Sequence, residues 1–257
     1  GGRYFAGTSG ADVLNDTSLN DEIETGAGDD LINLGAGDDR VDGGAGRDTV
    51  AYGHSRASTT VTINANGVAL NGPGGEDVLV NVEQLLFTDG FIMIGTGGDD
   101  TINGRSVGTE IIAGAGHDRI TGGAGDDLIT GGLGNDIIVG GAGNDTLIVS
   151  GLAADYRLLI NAGGFMLKGP DGRDSLTSVE TIRFADGRVL DLNRMYGAGA
   201  EAQGWADGRI PEHLLSDGGP APDRPLVLPG VDGPDPWTGK HGDRPEVLPG
   251  EGGDQPE

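Results

Sequence analysis

A nine-residue repeat is the feature that most constrains how this chain can fold. Five consecutive units begin at Gly7, and six more begin at Gly95. The eighth residue of each unit is aliphatic, and the sixth is aspartate in every unit except the one that carries Thr109. A single unit cannot bury its aliphatic side chain alone, so several units must stack on one another. The pattern therefore predicts stacked short strands, one at the end of each unit, with one aliphatic residue of each strand pointing inward.

The composition fits such a stack better than a conventional core. Glycine accounts for 52 of the 257 residues, and it permits the positive φ angles that tight turns between short strands require. The 41 acidic residues outnumber the 16 basic ones, which gives a formal charge of −25. Such a surface repels nucleic acid and opposes its own compaction unless cations neutralise it. The chain has no cysteine, so disulfides and thiolate metal sites are excluded.

The sixth-position aspartates supply the hard oxygen ligands that calcium prefers. We therefore expect several calcium ions as the cofactor of the folded chain. The candidate ligands at this position are Asp12, Asp21, Asp30, Asp39, Asp48, Asp100, Asp118, Asp127, Asp136 and Asp145.

The units resemble the GGxGxDxUx nonapeptides of the RTX, or haemolysin-type, calcium-binding family. The resemblance is strong in the units that begin at Thr25, Leu34, Gly43, Ala113, Gly122, Gly131 and Gly140. It implies an all-β fold, the parallel β-roll, in which two repeats make one turn and calcium lies between successive turns. It also implies a secreted protein that is exported unfolded, by type I secretion.

Calcium would then bind between units of the same side of the roll. The implied pairs are Asp30 with Asp48, Asp118 with Asp136, and Asp127 with Asp145, with terminal pairs Asp12 with Asp30 and Asp100 with Asp118. The pair Asp21 and Asp39 is expected to be weaker because its first unit has lost its glycines. The site that includes Thr109 should be poor for lack of a carboxylate. Fifth-position residues are implied as further ligands or as supporting partners of the ligands: Asp29, Asp38, Asp126, Asn135 and Asn144.

A longer duplication overlies the nonapeptides. Residues 48–90 and 145–187 align without a gap at an offset of 97, and both copies contain the sequence D-x-L-x-x-V-E. The alternating residues before the turn at Asn64–Gly67 predict a β-hairpin, and the run from Val78 to Phe87 predicts one or two further strands. We interpret each of these segments as a small antiparallel β cap on its roll, with Glu83, Asp89, Glu180 and Asp186 as turn and surface carboxylates. The alternative is a further ligand near the end of the roll.

These patterns divide the chain into two modules and a tail. Residues 1–94 and 95–193 each hold a roll and a cap, and residues 194–257 form a Pro/Gly-rich acidic tail that is expected to be mostly disordered, apart from a short helix around Pro211–Leu215. The sequence DRPLVLPG at Asp223–Gly230 recurs as DRPEVLPG at Asp243–Gly250. The tail is a spacer or a duplicated linear motif for a partner, with Val227, Leu228, Val247 and Leu248 as its anchors.

Three functions are consistent with this organisation. The first is a calcium-dependent folding and export module of a larger secreted protein. The second is a calcium-stiffened adhesin or matrix segment that binds a polysaccharide or a cell surface. The third is the non-catalytic C-terminal part of a secreted enzyme. No catalytic motif and no apolar run long enough to span a bilayer occurs in the sequence, so we expect neither catalysis nor a transmembrane segment in these residues.

Overall fold

The computed structural model describes residues 1–64, 67–161, 163–197, 208–218 and 226–227. It is an all-β structure in which short strands wind into a parallel roll. Neighbouring strands of the roll pair in parallel at a spacing of 18 residues, as in the pairing of Leu14 with Ile32 and of Ile120 with Ile138. Two nonapeptides therefore make one turn, and the predicted β-roll is confirmed.

The strands of the repeat blocks coincide with the ends of the nonapeptides. In the first block they are β1 Tyr4–Ala6, β2 Val13–Asn15, β3 Glu22–Glu24, β4 Leu31–Leu34, β5 Arg40–Asp42 and β6 Thr49–Tyr52. The first segment between the blocks contains β7 Thr60–Asn64, β8 Gly67–Gly72, β9 Gly75–Val80, β10 Gln84–Phe87 and β11 Gly90–Ile94. The second block contains β12 Thr101–Asn103, β13 Glu110–Ala115, β14 Arg119–Ala124, β15 Leu128–Leu133, β16 Ile137–Ala142 and β17 Thr146–Ile148.

The second segment repeats the strands of the first. It contains β18 Arg157–Asn161, β19 Gly164–Gly169, β20 Gly172–Thr177, β21 Thr181–Arg183 and β22 Arg188–Asp191. Strands β7 and β18 begin 97 residues apart, as do β8 and β19, and β9 and β20. In both copies the hairpin folds back as an antiparallel meander whose third strand joins the roll in parallel, β9 on β5 and β20 on β16.

Few helical turns occur among the described residues. They are the 3-10 turns Arg56–Ser58, Ala153–Asp155 and Glu212–Leu214 and the short helix α1 Asn193–Gly197. The turn at Glu212–Leu214 lies where a short helix is predicted after Pro211. No helix in the described part of the chain is both long enough and apolar enough to cross a membrane.

The core of the roll is a column of the eighth-position residues. Ten of these eleven side chains are at most 6% exposed, and only Leu14, in the first turn, is partly buried. Full burial of one such side chain contributes about 1.5–3 kcal/mol. The column falls into two clusters, one around Ile32 and Leu85 and one around Ile129 and Leu176. Each cluster continues into the segment that follows its block, so the caps share the core of the roll that they cover.

The first segment joins the two rolls as well as covering the first. Its strand β10 pairs in parallel with β6, and β11, antiparallel to β10, pairs in parallel with β13 of the second block. An eleven-stranded sheet therefore runs through both modules, in the order β2-β4-β6-β10-β11-β13-β15-β17-β21-β22 and ending with β23 Leu215–Asp217. The predicted cap therefore describes only part of what this segment does. Its last strand, β11, also pairs in parallel with β13 of the second roll.

Part of the predicted tail is folded. Strand β23 pairs antiparallel with β22, and Ile210, Leu214 and Leu215 pack against the second core. The backbone of β24 Leu226–Val227 pairs in parallel with β7. The anchors Leu228, Val247 and Leu248 and most of the residues expected to be disordered lie outside the described residues, as does the middle of the turn between β7 and β8.

Candidate calcium sites

The sixth-position carboxylates form a ladder along each side of the roll. In each link, one carboxylate oxygen accepts the backbone N–H of the sixth-position residue in the preceding turn. The N–H of Asp30 donates to Oδ1 of Asp48 at 2.9 Å, and the N–H of Asp118 donates to Oδ1 of Asp136 at 3.0 Å. The same bond joins Asp12 to Asp30, Asp21 to Asp39, Asp100 to Asp118, Thr109 to Asp127, and Asp127 to Asp145. The structure thus brings together all the same-side pairs that the sequence predicts.

The second oxygen of most ladder carboxylates is buried and has no hydrogen-bond partner. This holds for Oδ2 of Asp30, Asp39, Asp48, Asp118, Asp127, Asp136 and Asp145, all at most 2% exposed. An ionised oxygen in that position costs several kcal/mol unless a positive group compensates it. Calcium binds through carboxylate and carbonyl oxygens, so the donor set and its unmet demand fit this ion.

Burial also changes the acidity of these groups. Desolvation raises the pKa of Asp48, Asp118 and Asp145 to about 6, and the backbone N–H bonds offset only part of that effect. The pKa values of Asp127 and Asp136 are raised for the same reason. The calcium-free roll therefore holds its carboxylates in an environment that disfavours their charge, which a bound cation would relieve.

The first turn of three of the four ladders is built differently, the exception being the ladder that begins at Thr109. There a threonine at the second position of the unit donates its N–H and its hydroxyl to Oδ2 of the sixth-position aspartate. Thr8 does so to Asp12 at 2.6 and 2.9 Å, and Thr96 to Asp100 at the same distances. Thr17 contacts Asp21 in the same way. In these three predicted ligands a threonine therefore already satisfies Oδ2, the oxygen that is left without a partner in the later turns, and the N–H of Arg3 also donates to Oδ1 of Asp21 at 2.6 Å. Sequence reasoning did not identify this local cap.

The fifth-position residues form a second, outer ladder. Their side chains are exposed, and several accept a backbone N–H from the next turn: Asp29 from Arg47 at 2.9 Å, Asp38 from Glu76 at 3.0 Å, Asp126 from Asn144 at 2.8 Å and Asn135 from Arg173 at 3.0 Å. Asn144 takes part through its backbone N–H. These contacts hold successive turns in register, which fits a supporting position beside the buried ladder better than a place within it.

The ladders continue into the caps. Glu83 and Glu180 lie on them and are not the turn and surface carboxylates of the main interpretation, which fits the alternative of a further ligand near the end of the roll. Asp77 and Asp174 were not among the expected ligands. Asp77 accepts the N–H of Asp39 at 3.0 Å, and Glu83 accepts that of Asp48 at 2.9 Å. The second module repeats this with Asp174 on Asp136 and Glu180 on Asp145. The signal was present in the sequence, since each of these four carboxylates precedes a buried aliphatic residue by two positions, as the sixth residue of a repeat precedes the eighth.

The other cap carboxylates are local turn groups. Asp89 accepts the N–H of Arg56 at 2.6 Å, and Asp186 accepts that of Ala153 at 3.3 Å.

Asp171, which lies outside the repeat blocks, is only 6% exposed and accepts the hydroxyl of Tyr156. Its charge also acts on Asp136 and Asp174. An acidic residue outside the repeat blocks is therefore not always exposed, nor always independent of the ladders.

Glycine at the first position makes room for the ladder. At Gly122 a Cβ atom would lie 2.3 Å from Oδ2 of Asp127 and 2.4 Å from the carbonyl oxygen of Gly140. At Gly134 the backbone has φ of +135°, and a Cβ would lie 1.7 Å from the carbonyl oxygen of Gly116. Side chains at such positions would push the turns apart. The glycines thus bring carbonyl oxygens close to the free carboxylate oxygens.

A match to a known family of calcium-binding repeats supports this interpretation of the ladders. The family model of the RTX calcium-binding nonapeptide repeat matches four copies, at residues 17–50, 92–106 and 112–147. Among solved structures, the chain is similar to the extracellular lipase LipA from Serratia marcescens, with 21% identity and a TM-score of 0.33. That match covers 70% of this chain and 38% of the lipase chain. No protein in the curated set matches. Together with the geometry, the family match identifies the two repeat blocks of this chain as RTX calcium-binding nonapeptide repeats.

Proposed function

We propose that this chain is a calcium-binding β-roll module of a secreted bacterial-type protein, which folds when calcium binds after export. The observation that carries the proposal is the set of seven buried ladder oxygens without hydrogen-bond partners. They lie in a chain with a formal charge of −25, so the folded state concentrates negative charge that water no longer solvates. A cation between the turns offsets both effects.

The energetics favour a switch between two states. Extracellular calcium modules typically have dissociation constants of about 10⁻⁴–10⁻³ M, far above cytosolic calcium concentrations. A site at about 100 times its dissociation constant adds roughly 2.7 kcal/mol to the stability of the fold. Several such sites on one roll add up to a free energy comparable to the marginal stability of a small domain, about 5–15 kcal/mol. The chain would be unfolded inside the cell and folded outside it.

The test is a calcium titration of the chain, followed by far-UV circular dichroism and by calorimetry, with magnesium as the control. We expect a steep gain of β-structure with calcium and little with magnesium, which requires a smaller octahedral site than flexible turns provide. A spectrum rich in β-structure in chelator, unchanged by calcium, would contradict folding on calcium binding. An equal response to both ions would contradict calcium selectivity.

A second candidate is a calcium-stiffened spacer in an adhesin or a matrix protein. The observation that favours it is the eleven-stranded sheet that runs through both modules. Binding of the chain to polysaccharide with calcium, and not in chelator, would support this role over that of a folding module alone. The third candidate is the non-catalytic C-terminal part of a secreted enzyme, and the sequence of the full parent protein would test it.

A further inference from the structure

One corner of the first roll holds three carboxylates instead of two. Asp16 occupies the first position of its unit, where glycine is usual, and it lies beside the ladder pair Asp21 and Asp39. Each of these three side chains offers an oxygen, and the three oxygens lie within 4.8 Å of one another. Calcium binds oxygen at 2.3–2.6 Å, so two ligands on opposite sides of one ion are about 5 Å apart. The spacing matches a single shared calcium ion.

The free oxygens point to a ligand independently of this clustering. Asp39 is 2% exposed; its Oδ1 accepts the N–H of Asp21 at 2.8 Å, while its Oδ2 is buried without a partner. Asp16 shows the same division, because its Oδ1 accepts the N–H of Gly35 at 2.7 Å and its Oδ2 is buried without a partner. Two fixed carboxylates thus present one unmatched oxygen each at the same corner.

The opposite side of the same turn provides an internal comparison. There Gly7, Thr8, Asp12 and Asp30 correspond in order to Asp16, Thr17, Asp21 and Asp39. The threonine contact and the ladder bond are the same on both sides. At Gly7, however, a Cβ would lie 2.2 Å from the carbonyl oxygen of Thr25, so no side chain fits. The third carboxylate therefore distinguishes the Asp16 corner, together with the N–H of Arg3, which donates to Oδ1 of Asp21 at 2.6 Å.

We propose that Asp16 is a direct calcium ligand, and that Asp16, Asp21 and Asp39 form a three-carboxylate site that binds calcium more tightly than the regular two-carboxylate sites. The proposal rests on the proposed function and reverses the expectation that this irregular unit weakens its site. The number of ligand charges tunes the affinity of calcium sites, and a third carboxylate adds one charge. Asp16, which replaces the usual glycine of the repeat, then adds a calcium ligand.

The test compares the full chain with its Asp16→Asn and Asp42→Asn variants in calcium titration calorimetry. Both variants lose one negative charge in adjacent turns of the roll, and in both the amide oxygen can still accept the backbone N–H that Asp16 and the exposed Asp42 accept. We expect Asp16→Asn to weaken the tightest class of sites by roughly tenfold or more, and Asp42→Asn to change it about twofold or less. Circular dichroism at saturating calcium verifies that both variants reach the same fold.

The variant Asp16→Gly, which restores the usual repeat residue, guards against a folding defect caused by asparagine. It should also lose the tightest class of sites, leaving affinities like those of the regular turns. If Asp16→Asn or Asp16→Gly folds and keeps the affinity of the parent chain, or if Asp16→Asn and Asp42→Asn weaken binding equally, Asp16 is not a ligand. Those results leave the proposed function intact, whereas a parent chain that binds no calcium removes both.

Discussion

The two oxygens of a ladder aspartate have different surroundings. Oδ1 is fixed by the backbone of the neighbouring turn, and Oδ2 is buried without a hydrogen-bond partner, where a bound cation would satisfy it. Loss of the whole side chain would therefore disturb the stacking of the turns and the binding of calcium together. Asparagine separates the two, since its amide oxygen can accept the N–H while the charge is lost.

We predict that Asp136→Asn weakens calcium binding by about tenfold and lowers the cooperativity of folding, because Asp136 links Asp118 to Asp174 in the ladder. The matched control is Asp126→Asn, an exposed fifth-position change whose amide can still accept the N–H of Asn144. Calcium titration by calorimetry measures both. Equal losses in the two variants would mean that the outer residues are ligands too.

The raised pKa values predict opposite effects of pH on the calcium-free and calcium-bound states. The carboxyl groups of Asp48, Asp118 and Asp145 have folded pKa values of about 6, above the value of about 3.9 for an unfolded aspartate. Their contribution favours the calcium-free fold below the unfolded pKa and is lost as the pH rises through about 6. Lowering the pH from about 7.5 to about 5 should therefore increase β-structure in chelator.

The same protons compete with calcium. Between about pH 7.5 and about pH 5 the midpoint of the calcium titration should shift to higher free calcium, with protons released on binding. Circular dichroism against free calcium at several pH values measures the shift, and calorimetry in buffers of different ionisation enthalpy measures the protons. A midpoint independent of pH would mean that the ladder carboxylates are ionised before calcium arrives.

At the scale of elements, the irregular unit that begins at Gly104 serves as the joint between the modules. Its neighbouring residues Ile111 and Ile112 belong to different cores, Ile111 to the second and Ile112 to the first. Glu110, on the same strand, accepts two hydrogen bonds from the buried guanidinium of Arg56, at 2.9 and 3.1 Å. The guanidinium of Arg105 lies 3.5 Å from the ring centroid of Phe91. The unit departs from the repeat pattern where it contacts the preceding segment.

We predict that Arg56→Met lowers the free energy of unfolding by about 3–5 kcal/mol at saturating calcium, because it leaves the carboxylate of Glu110 buried without its cation. Arg188→Met is the control: its partners are Asp186, at 3.5 Å, and Glu212, which is 79% exposed, and loss of each such surface pair costs about 1 kcal/mol or less. Denaturant unfolding followed by circular dichroism compares the two. Similar losses in both would rule out the buried pair as a structural joint.

Much of this fold could be predicted from the sequence, because the nine-residue register determines both which side chain is buried and which carboxylate precedes it. The roll, the duplication and the hairpins follow from that register. The joint could not be predicted, since Arg56 and Glu110 are 54 residues apart and nothing local relates them. The ladder ends at Asp77, Glu83, Asp174 and Glu180 are an intermediate case, because their spacing to the next buried aliphatic residue is that of the repeat but the glycines around them are not.

At the scale of the whole molecule, the parallel register joins the two modules through one sheet but not through one continuous ladder. On one side of the roll the ladder of carboxylates runs from Asp12 to Glu83. The next residue on that side is Thr109, which donates its N–H to Asp127 but has no carboxylate of its own. Backbone pairing therefore continues across the joint, while the negative charge is interrupted there. The modules are joined by strands and by the Arg56 contact, and we expect calcium binding within each module to depend on its own ladders.

The spacing of 18 residues between paired strands has a consequence for a chain under tension. Each turn is bonded only to the turn before and the turn after it, so a force applied to the two ends peels the roll from its edge instead of shearing the whole sheet at once. One released turn adds about 60 Å of extended chain. In a single-molecule pulling experiment the extension should therefore grow in increments of that length while calcium is present, and the increments should be lost when the ion is removed, because the calcium-free chain is unfolded. Such a chain unfolds one turn at a time under load and refolds one turn at a time when the load is removed.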